Sequence, residues 1–82
     1  MDLRQQFEET LKKVKDGSVT KTPGQTEKLQ LYAWYKQATE GDVTGEAPKG
    51  FDIVGKAKFA AWERVKGMGK DDAMKYYVAF FV

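Results

Sequence analysis

The chain contains no cysteine and no histidine. Without cysteine there is no disulfide to support the fold and no thiol nucleophile. Without histidine the commonest general base and the commonest metal ligand are both missing, and a zinc site cannot be assembled by the usual rules. No apolar run approaches the length needed to span a bilayer. The start, Met1-Asp2-Leu3-Arg4-Gln5-Gln6, lacks the apolar core of a signal peptide. Excess charge of one sign is missing too: 14 basic and 12 acidic residues leave a net charge of +2. That balance argues against a protein that wraps nucleic acid through many phosphates, yet it leaves room for a local basic pocket. Among 82 residues, 41% are hydrophobic, enough for one domain, 1–82, with a small core and modest stability. These absences predict a cytoplasmic protein with no transmembrane segment, no nucleic-acid partner, no resident metal or cofactor, and no enzyme activity.

What is present reads as helices. Leu3, Phe7, Leu11 and Val14 recur at helical spacing and predict a first amphipathic helix over Asp2–Asp16, with Gly17 as its stop. Lys12 and Lys13 fall on its solvated face, and Lys15 lies beside Leu11 on the flank of the stripe. Thr22-Pro23-Gly24-Gln25 reads as the start of the second helix, with Thr22 as cap, Pro23 in the first turn and Gln25 completing a capping box. That helix is expected over Gln25–Glu40. A loop from Gly41 to Ile53 follows, with three glycines and Pro48 but no glycine-x-glycine fingerprint or Walker spacing. Phe51 and Ile53 are its apolar members and are expected to anchor it to the bundle. A third helix is expected over Val54–Lys66, ended by Gly67. A fourth is expected over Lys70–Phe81, with Asp71 and Asp72 placed favourably in its first turn.

Two of these helices carry a lysine where an apolar residue is expected. In the second, Leu31, Trp34, Tyr35 and Ala38 form one face. Leu29 and Tyr32 lie nearly opposite, joined by Lys36 at helical spacing. An unpaired ammonium is too costly to bury, so this second face is not simply core. In the third helix Lys58 lies in the stripe marked by Trp62 and Val65, with Phe59 at its edge. A single such lysine is best explained by a stem lying over core residues with its head in water. Two of them, each beside an aromatic ring, point to an anion site.

The residues Tyr32-x-x-Tyr35-Lys36-Gln37-Ala38-Thr39-x-Gly41-Asp42, then Gly55-Lys56-Ala57-Lys58-x-x-Ala61-Trp62, Lys66-Gly67 and Asp72-Ala73-Met74-x-x-Tyr77 closely resemble the acyl-CoA-binding protein family. The match runs from about Phe7 to Val78, with the motifs in family order. The resemblance implies an all-α four-helix bundle that carries and buffers long-chain fatty acyl-CoA and performs no chemistry. It implies Tyr32 on the adenine, Tyr35 and Lys36 at the ribose 3′-phosphate, Lys58 as a second phosphate contact, Tyr77 at the ligand and Lys15 near the head group. Leu29 belongs to the Tyr32–Lys36 face, and Ile53 would line a channel for the acyl chain. Three features depart from the family. The loop from Asp16 to Gly24 is longer than usual. Thr22 stands where a lysine often precedes the proline. The last helix closes on apolar Val78-Ala79-Phe80-Phe81-Val82 where charged residues are usual.

An acyl-CoA carrier is therefore expected to act as a monomer, with transient contacts to acyl-CoA-using enzymes or membranes. Two other classes stand beside it. A small helical nucleic-acid-binding module would also carry basic helices with aromatics, but acids in every helix and the lack of a basic arm count against it. A helical protein-interaction module would use Trp34 and the apolar C-terminal run as its contact surface.

Overall fold

The computed structural model describes residues 2–19 and 21–81. Asp2 starts the first helix from outside it. Its carboxylate accepts from the Gln5 N–H at 2.8 Å, and the Gln5 side chain accepts from the Asp2 N–H at 3.2 Å. This reciprocal capping box makes α1 run Leu3–Asp16, so Asp2 is cap rather than first turn. Gly17 ends it at φ 80°, a left-handed conformation that glycine adopts without steric cost, and the Ser18 N–H folds back onto the Lys13 carbonyl at 2.9 Å.

The second helix, α2, spans Gln25–Glu40 as expected, but its cap does not. Gly24, not Thr22, is the N-cap, and the Glu27 carboxylate reaches back to the Gly24 N–H at 2.9 Å. Glu27 both satisfies that donor and sits favourably at the positive end of the helix. Thr22 and Pro23 therefore lie outside α2. The third helix, α3, spans Ile53–Arg64. It starts one step before Val54 because Asp52 caps it, accepting from the Gly55 N–H at 2.9 Å. It stops before Lys66 because the chain tightens, with Val65 and Lys66 donating to the Trp62 and Glu63 carbonyls three residues back. The fourth helix, α4, spans Lys70–Phe81 as expected, with Asp71 and Asp72 in its first turn. Val82, the end of the apolar run, lies outside the described residues. Among the described residues, no helix is long and apolar enough to cross a membrane.

The helices pack in the order α1, α4, α2, α3, giving a flattened body of 41 × 25 × 16 Å. Phe7 of α1, Leu31 and Ala38 of α2, and Ala73, Met74, Tyr77 and Val78 of α4 form the core. Ala73 has no exposed surface, and its small side chain lets α4 lie against its neighbours. The two apolar faces of α2 follow from this order. Leu31 and Ala38 face the shared core, whereas Ala33, also buried, borders a groove formed with Ala57, Ala60 and Ala61 of α3. Part of the second face is thus scaffold. Phe51 is fully exposed and Ile53 is 77% exposed, so neither anchors the loop as expected. The loop is held instead at its two ends, by polar contacts at Gly41–Asp42 and by the Asp52 cap.

A polar knot locks the C-terminal end of α2. Gln37, 1% exposed, donates through Nε2 to Asp42 Oδ1 at 2.8 Å and to the Met68 carbonyl at 2.7 Å. The same Asp42 oxygen accepts from the Gly67 N–H at 2.8 Å. The Trp62 indole donates to the Gly41 carbonyl at 2.9 Å, across Gly41 at φ 86°. The Gly67 N–H, then the Gln37 amide, hold the Asp42 carboxyl below its ordinary value.

Gln37→Ala is expected to lower stability by about 1–3 kcal/mol, because it removes both part-buried hydrogen bonds of the knot and leaves a cavity where the amide was buried. Trp62→Ala is expected to lower it by about 3–5 kcal/mol, the usual range for deleting a buried aromatic ring. Urea denaturation measures both. Because the folded pKa of Asp42 is depressed, its contribution is complete above the unfolded value and fades as pH falls through the folded one. Asp42→Asn should therefore flatten the acid limb of a Tm–pH curve below roughly pH 4, leaving its neutral limb parallel to that of the parent.

Candidate functional site

One end of the slab opens into a cleft of about 610 Å³. Val14 and Gly17, at the end of α1, form one wall. Lys21, Thr22 and Pro23 form the rim, Leu31, Tyr32 and Tyr35 come from α2, Lys58 from α3, and Tyr77 and Phe81 from α4. Beside it runs an apolar groove of about 360 Å³ between the start of α2 and the start of α3, lined by Leu29, Ile53, Val54 and Ala57. Lys28 and Lys58 line both, so two ammonium groups border the junction of cleft and groove.

Tyr77 is the most deeply seated aromatic of the cleft. It meets Phe7 edge-to-face at 5.3 Å between ring centroids and Phe81 at 5.6 Å, and burial pushes its phenol above the ordinary value. Such contacts fix the ring from behind while the cleft meets its remaining surface. Tyr35 is stacked on Phe7 at 6.4 Å but remains 39% exposed. Tyr32 is half-buried, and the Lys58 ammonium lies 5.3 Å from its ring centroid. The Lys36 ammonium in turn lies 4.9 Å from the Trp62 ring centroid. Each cation thus meets the aromatic ring of the other helix, not the ring one turn away on its own. Helical spacing alone pairs Lys36 with Tyr32 and Lys58 with Trp62. The packing of α2 on α3 crosses those partners.

The structure brings Tyr32, Tyr35, Lys58 and Tyr77 into one cleft, and Leu29 and Ile53 into the adjoining groove. Lys36 stands at the edge, not among the lining residues. Its ammonium is hydrogen-bonded and ion-paired with Glu40 one turn on. That bond raises its pKa, desolvation opposes it, and the charge of Glu40 and then the phenols of Tyr32 and Tyr35 add to the rise. Lys15 is exposed on the last turn of α1 and does not line the cleft, although Val14 and Gly17 on either side do.

Lys28, Lys21 and Phe81 are among the lining residues that the sequence reading did not single out. Lys28 was within reach of it: Lys28, Tyr32 and Lys36 follow one another at i, i+4 on α2. Lys21 was not, because it lies in an irregular segment without periodicity, and its ammonium lies 4.7 Å from the ring centroid of Phe80. Its position beside Thr22 returns a basic side chain to the rim. Phe81 reads from sequence only as part of the apolar face of α4. Together these groups offer an aromatic shelf, several ammonium groups and an apolar groove in continuity. That set suits an amphipathic ligand with a planar ring, anionic groups and an apolar tail.

Among known proteins, the family model described as "Acyl CoA binding protein" matches residues 4–81. The Caenorhabditis elegans Acyl-CoA-binding protein homolog 1 is 53% identical over 58 residues, 71% of this chain and 67% of its own length. The Acyl-CoA-binding protein of Dictyostelium discoideum is 44% identical over 75 residues, 92% of this chain and 87% of its own. The crystal structure of Oryza sativa Acyl-CoA-Binding Protein 2 superimposes with a TM-score of 0.85 at 38% identity, covering 98% of this chain and 87% of that one.

Proposed function

The chain belongs to the acyl CoA binding protein family, and we propose that it binds long-chain fatty acyl-CoA thioesters as a monomeric cytoplasmic carrier and buffer, without catalysing a reaction. The observation that carries this reading is the Lys58 ammonium over the Tyr32 ring, at the junction of a polar-rimmed cleft and an apolar groove. Coenzyme A supplies a group for each feature. Its adenine suits the face of Tyr32. Its pyrophosphate and 3′-phosphate suit Lys58 and Lys36 as point charges, with Tyr35 and Tyr77 offering phenolic hydrogen bonds. Lys21 and Lys28 add basic groups at the rim, and Lys15 adds long-range attraction to the head group. The fatty chain would run along Leu29 and Ile53, whose exposed side chain gains apolar contact on binding.

Titration calorimetry tests this directly. Free CoA should bind weakly, and octanoyl-, lauroyl- and palmitoyl-CoA should bind in rising order. Each methylene contributes up to about 0.8 kcal/mol until the groove is full. Equal affinity for free CoA and palmitoyl-CoA would refute the reading.

Lys36→Ala and Lys58→Ala are each expected to cost roughly 1.5–3 kcal/mol of binding, the range for a hydrogen bond to a charged group, with an unchanged circular dichroism spectrum. Tyr32→Phe should keep most of the affinity, whereas Tyr32→Ala should lose roughly 1–3 kcal/mol, the range for base–aromatic stacking. That loss should be the same for every chain length, because the adenine is common to all. A loss growing with chain length would move Tyr32 from the head group to the acyl groove.

A further inference from the structure

Five lysines stand in or beside the proposed site: Lys15, Lys21, Lys28, Lys36 and Lys58. Among the described residues, Lys36 alone of these has a carboxylate partner. Its ammonium is ion-paired with Glu40 of the same helix and lies 4.9 Å from the Trp62 ring centroid, and Lys36 is not itself among the residues lining the cleft. The Lys36 side chain is 22% exposed and that of Glu40 is 53% exposed, so the carboxylate is the wetter and freer partner. We infer that Glu40 competes with the ligand for the Lys36 ammonium and thereby sets how strongly a 3′-phosphate is favoured over a ligand without one. This rests on the proposed assignment of Lys36 to the 3′-phosphate.

The physical conflict is one of charge. An ammonium has three donors and can in principle hold two acceptors. A carboxylate and a phosphate brought to the same ammonium repel each other, so the phosphate gains the full attraction of Lys36 only as Glu40 withdraws. Glu40 can withdraw readily, because an exposed i, i+4 ion pair is weak and its carboxylate faces water. A ligand lacking the 3′-phosphate leaves the pair intact and meets no such conflict. Glu40 therefore does not block the site. It reduces the selectivity that Lys36 would otherwise give, and it keeps the ammonium from being a bare cation beside an aromatic surface.

Calorimetry on the full chain tests this with palmitoyl-CoA and its 3′-dephospho analogue, using the parent, Glu40→Gln, Lys36→Ala and the double variant. Glu40→Gln keeps the size and a hydrogen-bond acceptor but removes the charge. It should tighten palmitoyl-CoA binding by about two- to five-fold, the range set by an exposed ion pair, and leave the dephospho analogue unchanged. In the Lys36→Ala background the Glu40→Gln effect should vanish. Unchanged or weaker palmitoyl-CoA binding by Glu40→Gln, while Lys36→Ala still weakens it selectively, would overturn the competition and make Glu40 a positioning residue. A Lys36→Ala variant that weakens both ligands equally would overturn the phosphate assignment itself, and the competition with it. A thermal melt of each variant without ligand confirms that the comparison is between folded proteins.

Discussion

The buried amide of Gln37 is the constraint on which the placement of α2 depends. It is the one polar side chain among the described buried residues, and its Nε2 reaches two acceptors that belong to different parts of the chain. One, Asp42, fixes the exit from α2. The other, the Met68 carbonyl, fixes the turn between α3 and α4. The Trp62 indole adds a third tie, to the Gly41 carbonyl. A buried polar group left unpaired is costly, so these ties specify one arrangement of the two turns and disfavour slipped alternatives. Apolar packing of α2 could tolerate small rotations, since alanines dominate its contact with α3. The amide, whose Nε2 has two directional acceptors, tolerates far less.

From that fixed point the cleft follows. With α2 held between α4 and α3, its Tyr32 and Tyr35 line the same cleft as Val14 and Gly17 at the end of α1 and the Lys21–Pro23 segment. Lys58 reaches across from α3 to the Tyr32 ring, and Lys36 reaches back to Trp62. These crossed contacts explain how lysines can occupy apolar stripes. Each stem lies over apolar surface and each head lies on a π-face, with water or a carboxylate beyond. The arrangement gives each ammonium an aromatic face in place of some of its water. A net charge of only +2 is compatible with it, because the local density of lysines at the cleft rather than the total sets the attraction for an anionic head group.

The four helices were legible because each carries a strong local signal. Leu3, Phe7, Leu11 and Val14 define α1, and both α2 and α4 have the expected bounds. What was not legible depended on partners distant in sequence or on competition between adjacent caps. Thr22 and Pro23 look like a helix start, yet Glu27 selects Gly24 by binding its N–H. Phe51 looks like an anchor because it is aromatic, but no local pattern shows that its loop is held by its ends. Gln37 carries no apolar signal that would place it in the interior. Only the approach of Met68, distant in the chain, makes it the centre of a knot. The site shows the same division. As cleft-lining residues, Tyr32 and Lys58 could be read from helix face and Tyr35 only from the family resemblance, its face pointing to the core, whereas the crossing of the cation–ring pairs and the presence of Lys21 at the rim required the fold.

The two tasks of α2 are separated along its length. Lys28, Leu29, Tyr32 and Tyr35 line the cleft and groove, while Gln37 and the residues after it hold the helix in place. Substitutions in the first group meet solvent or a ligand and leave the knot untouched, so their effects on folding should be small and close to additive with those of the second. Lys36 lies at the seam, adjacent in sequence to Gln37 yet on the face that carries Tyr32. Its partner Glu40 lies beyond it, next to Gly41, whose carbonyl receives the Trp62 indole. The ammonium therefore links the Trp62 ring, which the indole bond anchors, to Glu40 at the end of α2. Movement of Lys36 toward an anion would uncover one face of Trp62 while the indole N–H stays tied to Gly41. None of the hydrogen bonds of the knot involves that ammonium, so a shift of the Lys36 side chain leaves the hold on α2 intact.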